Sequence, residues 1–326
     1  MNSQQRRRWL WSSIEAVITI LVVIAVSWQF SDILRNSVLW DRPLQPNFAW
    51  LASSVLLYLL GLSTSAIYWQ LLLNSFDQHP ASMFAVLQAY YIGQLGRYVP
   101  GKVLGVLWRS RLLRGPGVHG GIAALTVVYE TLITLASGAL LGGIVLGFAG
   151  LLQSNDSGMW LLLLLGVPIL PSVFNRIVDR VIGSLPNQSA TPPRHIQMWT
   201  LAAGLVITAI GWVLQGASLV MLIEAFFHGA VSWTSWELLR YSAYSALAYA
   251  GGFVVLLVPG GLGVREVILQ RFLVVEFAPA FGSNALANAT VIALLLRLVW
   301  TLADVGAALV CWLVRIVIRR RRKLLA

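Results

Sequence analysis

Six stretches of this sequence, 14–33, 48–73, 120–150, 158–174, 200–226 and 287–316, run with few charged side chains. A helix needs about 20 mostly apolar residues to cross the hydrocarbon of a bilayer. No water reaches a backbone N–H or C=O there, so each segment has to satisfy its own, as a helix does. Composition agrees: 58% of the 326 residues are hydrophobic and 11% charged, where a soluble domain carries about 25% charged residues. The expected fold class is all-α, a polytopic membrane protein forming a single integral membrane domain over 1–326. Arg6-Arg7-Arg8 precede the first run as they would in a signal peptide. The run is long and has no small-residue cleavage site, so it reads as a first span.

Two more apolar regions, 83–114 and 238–278, are interrupted by closely similar strings. The first holds Gly96-Arg97-Tyr98-Val99-Pro100-Gly101-Lys102-Val103-Leu104-Gly105, with Arg109 soon after. The second holds Val258-Pro259-Gly260-Gly261-Leu262-Gly263-Val264-Arg265-Glu266. Proline stops a helix and glycine permits a tight reversal. The flanks of the first break, about 14 residues each, are short for a bilayer crossing, so this region reads as a re-entrant helical hairpin. The second break has longer flanks and fits either a hairpin or two full spans. The expected layout is six transmembrane helices plus two re-entrant hairpins, or up to eight spans.

The net charge of +11 does not point to nucleic acid, because the basic residues cluster at the ends of apolar runs. Lys and Arg collect on the cytoplasmic side of membrane proteins. With Arg6-Arg7-Arg8 inside, most of the other basic residues fall inside too, including a cytoplasmic loop over 175–199 and the basic tail 319–326. Both termini are expected in the cytoplasm and the protein in the plasma (inner) membrane. The halves 10–150 and 158–318, joined across 150–158, then share one order of elements but start on opposite faces. That is an inverted repeat, an arrangement used for alternating access.

Ionisable groups inside a membrane cost several kcal/mol or more unless paired or hydrated, and so mark function by default. Here they are Arg97 and Lys102 around the first break, Arg109 after it, Glu130 in span 120–150, Arg265 and Glu266 after the second break, and Arg297 and Asp304 in the last span. Arg297 and Asp304 are seven residues apart, hence on one helix face, and pairing between them, directly or through water, is expected. Glu130 is expected to pair with Arg297 or Arg265. The helix that starts after each hairpin tip presents free N–H groups and a positive dipole end. With Pro100, Gly101, Pro259, Gly260 and Gly261 at the tips and Lys102, Arg109, Arg265 and Arg271 beside them, the expected ligand is an anion, and a phosphate fits well. Gly138/Gly142 and Gly143/Gly147 have the spacing of close helix packing. Glu224, near a span end, is expected at the interface. The sequence has no Ser-His-Asp pattern, no metal-ligand cluster, no Walker motif and one cysteine, Cys311. No enzyme activity, cofactor or metal is expected.

These motifs, from Gly93-Gln94-Leu95-Gly96-Arg97 through Lys102, Arg109, Glu130, the Pro259–Glu266 string and Arg297, resemble those of the lysylphosphatidylglycerol synthase transmembrane region, or flippase-like domain, family. The resemblance implies a multi-span protein that moves lipids between leaflets, with the quoted residues lining a central site. Members often carry Glu-Arg where this chain has Glu130-Thr131, which removes one cation. Followed to Ala326, the sequence has no aminoacyl-transferring half, so synthesis of lysylphosphatidylglycerol is not expected. The expected function is a flippase-like lipid translocase acting by alternating access. Its partner would be an anionic or aminoacylated phospholipid or a polyprenyl-linked glycolipid. The alternatives are a secondary transporter of a small anion and a non-catalytic membrane partner of a lipid-modifying enzyme.

Overall fold

The computed structural model describes residues 45–76, 78, 82–98, 103–113, 118–148, 171–183, 196–231, 234–254, 261 and 263–324. The elements among them are all helical. In chain order they are α1 (Phe48–Ser75), α2 (Met83–Gln94) with a 3₁₀ turn over Leu95–Tyr98, α3 (Val103–Leu113), α4 (Gly120–Phe148), α5 (Pro171–Gly183), α6 (Met198–Phe226), α7 (Ser235–Val254), α8 (Val264–Phe281), a 3₁₀ turn over Gly282–Asn284, and α9 (Ala285–Leu324). The expected first span 14–33, most of span 158–174, and the tip residues Pro100, Gly101, Lys102, Pro259 and Gly260 lie outside the described residues. The connection over 175–199 is partly helical, since α5 continues to Gly183, and the basic tail continues α9 to Leu324.

Among the described residues four helical stretches are long and apolar enough to cross a membrane: Phe48–Ser75, Gly120–Phe148, Met198–Phe226 and Val264–Ile318. The last is not one rod. Gly282, with φ +52°, turns the chain between α8 and α9. Glu266 then meets Arg297, and Gln270 meets Thr290, so the two helices run antiparallel.

Both interrupted regions fold as helical hairpins. The arms of the first have 12 and 11 residues. At a rise of 1.5 Å per residue they reach about 17 Å, little more than half of a hydrocarbon core about 30 Å thick. The arms meet through glycine: a Cβ on Gly96 would lie 2.3 Å from the Gly105 nitrogen. The arms of the second hairpin, α7 and α8, have 20 and 18 residues, nearly the thickness of the core. They also close on glycine. Gly261 is buried with φ +69°, and a Cβ there would lie 2.7 Å from the Gly252 carbonyl oxygen.

Gly96→Ala should therefore push two backbones apart and lower the thermal midpoint in detergent, as over-packing by about 1–3 kcal/mol would. Gly143→Ala is the control. Nothing lies within 4 Å of a Cβ at that position, and alanine is the better helix former. Equal midpoints for the two variants would contradict the close approach. The openness at Gly143 also corrects the packing expected of Gly143/Gly147. Gly138 and Gly142 do pack closely, against Trp212 and Leu247.

The longest helix contact is between α1 and α6. Ser54 meets Ser218, Gly61 meets Gly211, and a Cβ on Gly204 would strike the Tyr68 ring, so the helices are antiparallel and cross at the two glycines. The pattern of buried, half-buried and exposed positions over 51–66 recurs residue for residue over 201–216. Neighbours correspond as well. α1 packs on α2 as α6 does on α7; α3 packs on α4 as α8 does on α9; α4 reaches across to α7 as α9 reaches across to α2.

Candidate functional site

Seven of the intramembrane ionisable residues named above, Arg97, Arg109, Glu130, Arg265, Glu266, Arg297 and Asp304, fall within the described segments, and these seven converge on one region between the hairpins. Arg97 lies in the 3₁₀ turn that ends α2, Arg109 on α3, Glu130 on α4, Arg265 and Glu266 in the first turn of α8, and Arg297 and Asp304 on α9. The first turn of α8 follows Gly263, whose φ of +79° lets the chain enter the helix abruptly. Glu266 gains there from the positive end of the helix dipole.

Six of the seven form three ion pairs. Arg109 Nη1 donates to Glu130 Oε2 at 2.8 Å. Arg97 pairs with Asp304, and Arg297 pairs with Glu266. In each hairpin, then, an ion pair ties the second arm to the helix that follows it, with the signs exchanged: Arg109–Glu130 in one, Glu266–Arg297 in the other. The pair Arg97–Asp304 joins the first hairpin to the last helix. Carboxylates this deep need more than one donor. Glu130 also accepts from Thr134 Oγ1 at 3.2 Å and from the Tyr90 hydroxyl at 3.4 Å. Asp304 accepts from the hydroxyls of Tyr58 at 2.8 Å and Tyr98 at 2.6 Å.

The seventh residue, Arg265, makes no ion pair among the described residues. Its guanidinium lies 4.5 Å from the Trp300 ring centre and 5.6 Å from that of Tyr249. Trp300 in turn stacks on Tyr58 at 4.5 Å. Arg109 is held in a similar way, 4.3 Å from the ring centre of Trp69 and 4.2 Å from that of Tyr90. Such contacts use the faces of a guanidinium and leave its edge for hydrogen bonds. Arg109 is 6% exposed, and its Nε and Nη2 have no hydrogen-bond partner.

These groups surround a cavity of 280 Å³. Arg97, Arg109, Glu130, Arg265 and Arg297 are on its wall, with Tyr90, Tyr98, Tyr249 and Trp300 beside them. Val106, Val127, Val128, Leu132 and Phe253 supply an apolar side, and Val128 is 42% exposed. Thr131, where members often carry arginine, also lines the cavity and turns its hydroxyl back to the Val127 carbonyl at 2.9 Å. Among the described residues four guanidinium groups face three carboxylates, which leaves one positive charge. Guanidinium groups on a largely apolar wall, with one positive charge in excess, favour a phosphate or another oxyanion.

The geometry corrects several expectations. Arg297 and Asp304 share a helix but do not pair with each other; each finds its partner on a different neighbouring element. Glu130 pairs with Arg109 rather than with Arg265 or Arg297. Arg271 is exposed and takes no part in the cavity. Gly261 supports the site through Gly252, which is on the wall. Glu224 lies at the end of α6 as expected but is 2% exposed, and it accepts from the Gly229 N–H at 3.0 Å and contacts His228 at 2.9 Å. The aromatic residues Tyr58, Trp69, Tyr90, Tyr249 and Trp300 were not legible as site residues, since each sits in an apolar run without a distinguishing neighbour. Tyr98 stands inside the first motif, and that adjacency was the available signal.

No curated protein matches the chain. A match to the family described as the lysylphosphatidylglycerol synthase TM region covers residues 12–303. Together with the four apolar helical stretches, it makes this a multi-pass membrane protein of lipid-related function, and the chain belongs to the lysylphosphatidylglycerol synthase TM region family.

Proposed function

We propose that the protein is a lipid translocase and not an enzyme, moving the headgroup of an anionic, aminoacylated or glycosylated lipid between leaflets by alternating access. The observation that carries this reading is the cavity itself. It combines four arginines, three of them paired, with an apolar side that includes the exposed Val128. A headgroup needs the first and acyl chains left in the bilayer need the second. A carrier for a small soluble anion would have no use for the apolar side.

The antiparallel crossing of α1 and α6, with matching burial on the two helices and exchanged signs in the two hairpin ion pairs, supports an inverted repeat with halves 10–150 and 158–318. Such a repeat gives the two faces of the membrane equivalent access to a site between the halves. The charge bias supports cytoplasmic termini and a place in the inner membrane. The proposed mechanism needs neither nucleotide nor metal. The headgroup binds between the hairpins at Arg109 and Arg265, and rearrangement of the halves changes the leaflet to which the cavity opens.

The test is reconstitution of the folded chain into vesicles with labelled lipid in one leaflet. Anionic phospholipid, aminoacylated phospholipid and a polyprenyl-linked sugar are compared for loss of label accessibility. Faster transfer of one or more of them over protein-free vesicles is expected. Transfer of all three at the protein-free rate would reject the translocase.

A further inference from the structure

We propose that the cargo headgroup is a phosphodiester carrying one net negative charge and no amine. This rests on the translocase reading and selects among the headgroup classes that reading admits.

A headgroup amine needs a carboxylate that is within reach and not already engaged. Among the described residues the cavity wall carries one carboxylate, Glu130. It is held by Arg109, Thr134 and Tyr90 together. Asp304 lies behind the wall and is enclosed by Arg97, Tyr58 and Tyr98. Glu266 has one oxygen on Arg297 and a second without a hydrogen-bond partner, but it is not on the wall. A cationic headgroup would meet arginines whose counter-charges are already committed. It would have to displace one of them, leaving a buried guanidinium uncompensated, which is costly.

An anion meets the opposite situation. Arg265, held over Trp300 and Tyr249, has no carboxylate partner among the described residues. Arg109 is 94% buried on the same wall, with two N–H groups that no protein atom accepts. The two come from the second arms of opposite hairpins, and each lies against a glycine of its own first arm: Gly93 for Arg109, Gly252 for Arg265. One phosphodiester set against both guanidinium groups would cancel the one positive charge left over among the described residues. The rest of the polar wall, Gln94, Thr131, Thr134 and Thr301, is neutral and suits hydroxyls such as those of glycerol or a sugar.

The experiment is equilibrium binding to the full chain in uncharged detergent micelles, read by tryptophan fluorescence, since Trp69 and Trp300 lie against the two arginines. The probes are short-chain phosphatidylglycerol, phosphatidylethanolamine, lysylphosphatidylglycerol and inorganic phosphate. Phosphatidylglycerol should bind at least about ten-fold tighter than either amine-bearing lipid, a difference equivalent to about 1.4 kcal/mol. It should also bind tighter than inorganic phosphate, which lacks the apolar part. In Arg265→Gln the preference over phosphatidylethanolamine should fall to within about two-fold, because the unmatched charge is gone. Should that variant not fold, the wild-type ranking decides alone. Equal or tighter binding of either amine-bearing lipid overturns the proposal, and so does equal binding of inorganic phosphate. Because binding is measured without transport, a failed transfer assay rejects the translocase while this ranking still tests the charge of the ligand. Transfer of aminoacylated lipid together with its tighter binding would keep the translocase and reject the inference.

Discussion

Asp304→Asn should lower the thermal stability of the detergent-solubilised protein by more than any other single uncharging substitution among the described residues. Asp304 is fully buried and accepts from Arg97, Tyr58 and Tyr98. Removal of one partner of a buried ion pair costs about 3–5 kcal/mol, because the other charge stays behind without compensation. Here the abandoned charge is Arg97, and the asparagine amide would offer donors to two tyrosine hydroxyls now placed to donate themselves. The loss should appear as a drop in the unfolding midpoint and as greater protease sensitivity near the first hairpin, which this pair ties to α9. The double variant Arg97→Gln/Asp304→Asn should recover much of the loss, since no lone charge remains. A single variant as stable as the wild type would mean that Arg97 and Asp304 are not in contact.

The double variant Arg109→Gln/Glu130→Gln should separate structure from function. Each single change strands a buried charge: Glu130 is 2% exposed and Arg109 6%. Both single variants should lose stability by about 3–5 kcal/mol on the same reasoning. When both members of a buried pair are replaced by neutral residues of similar shape, the effect on stability is small or even favourable. The double variant should therefore fold with a midpoint near that of the wild type. It still lacks the Arg109 guanidinium on the cavity wall, so lipid transfer should fall at least ten-fold, the loss that about 1.4 kcal/mol of binding represents. Wild-type transfer by a well-folded double variant would make the pair purely architectural and leave Arg265 as the anion contact.

The sequence carried the outline of the site because charge in an apolar run is conspicuous. Arg97, Arg109, Glu130, Arg265, Glu266, Arg297 and Asp304 stood out for that reason, and all seven meet. It did not carry their pairing. Spacing along a helix gives the face on which a side chain lies, not which neighbour that face meets. Arg297 and Asp304 share a face by spacing, yet α9 passes α8 at one and the first hairpin at the other. The aromatic lining was hidden for a different reason. In water the apolar side of a helix marks the interior, but in lipid both sides are apolar, so Tyr58 and Trp300 do not stand apart from lipid-facing neighbours such as Leu56 and Leu302. Polarity is more telling there: Ser54, Thr126, Ser218 and Thr208 are all buried between helices. The second hairpin was open in the sequence because its arms are long, and at 20 and 18 residues they are indeed nearly as long as the core is thick.

At the crossing of α1 and α6 main chain meets main chain: Gly61 lies on the Gly211 carbonyl and Gly211 on the Gly61 carbonyl, with Thr64, Leu214 and Gln215 packed beside them. A joint this close is set mainly by backbone contact. Its spacing is fixed by the thickness of two bare helices, and a small rotation there leaves the same atoms in touch. In the translocase proposed above, any bias toward one face of the membrane would come from the rim, where the two hairpins and their ion pairs differ in arm length and in sign.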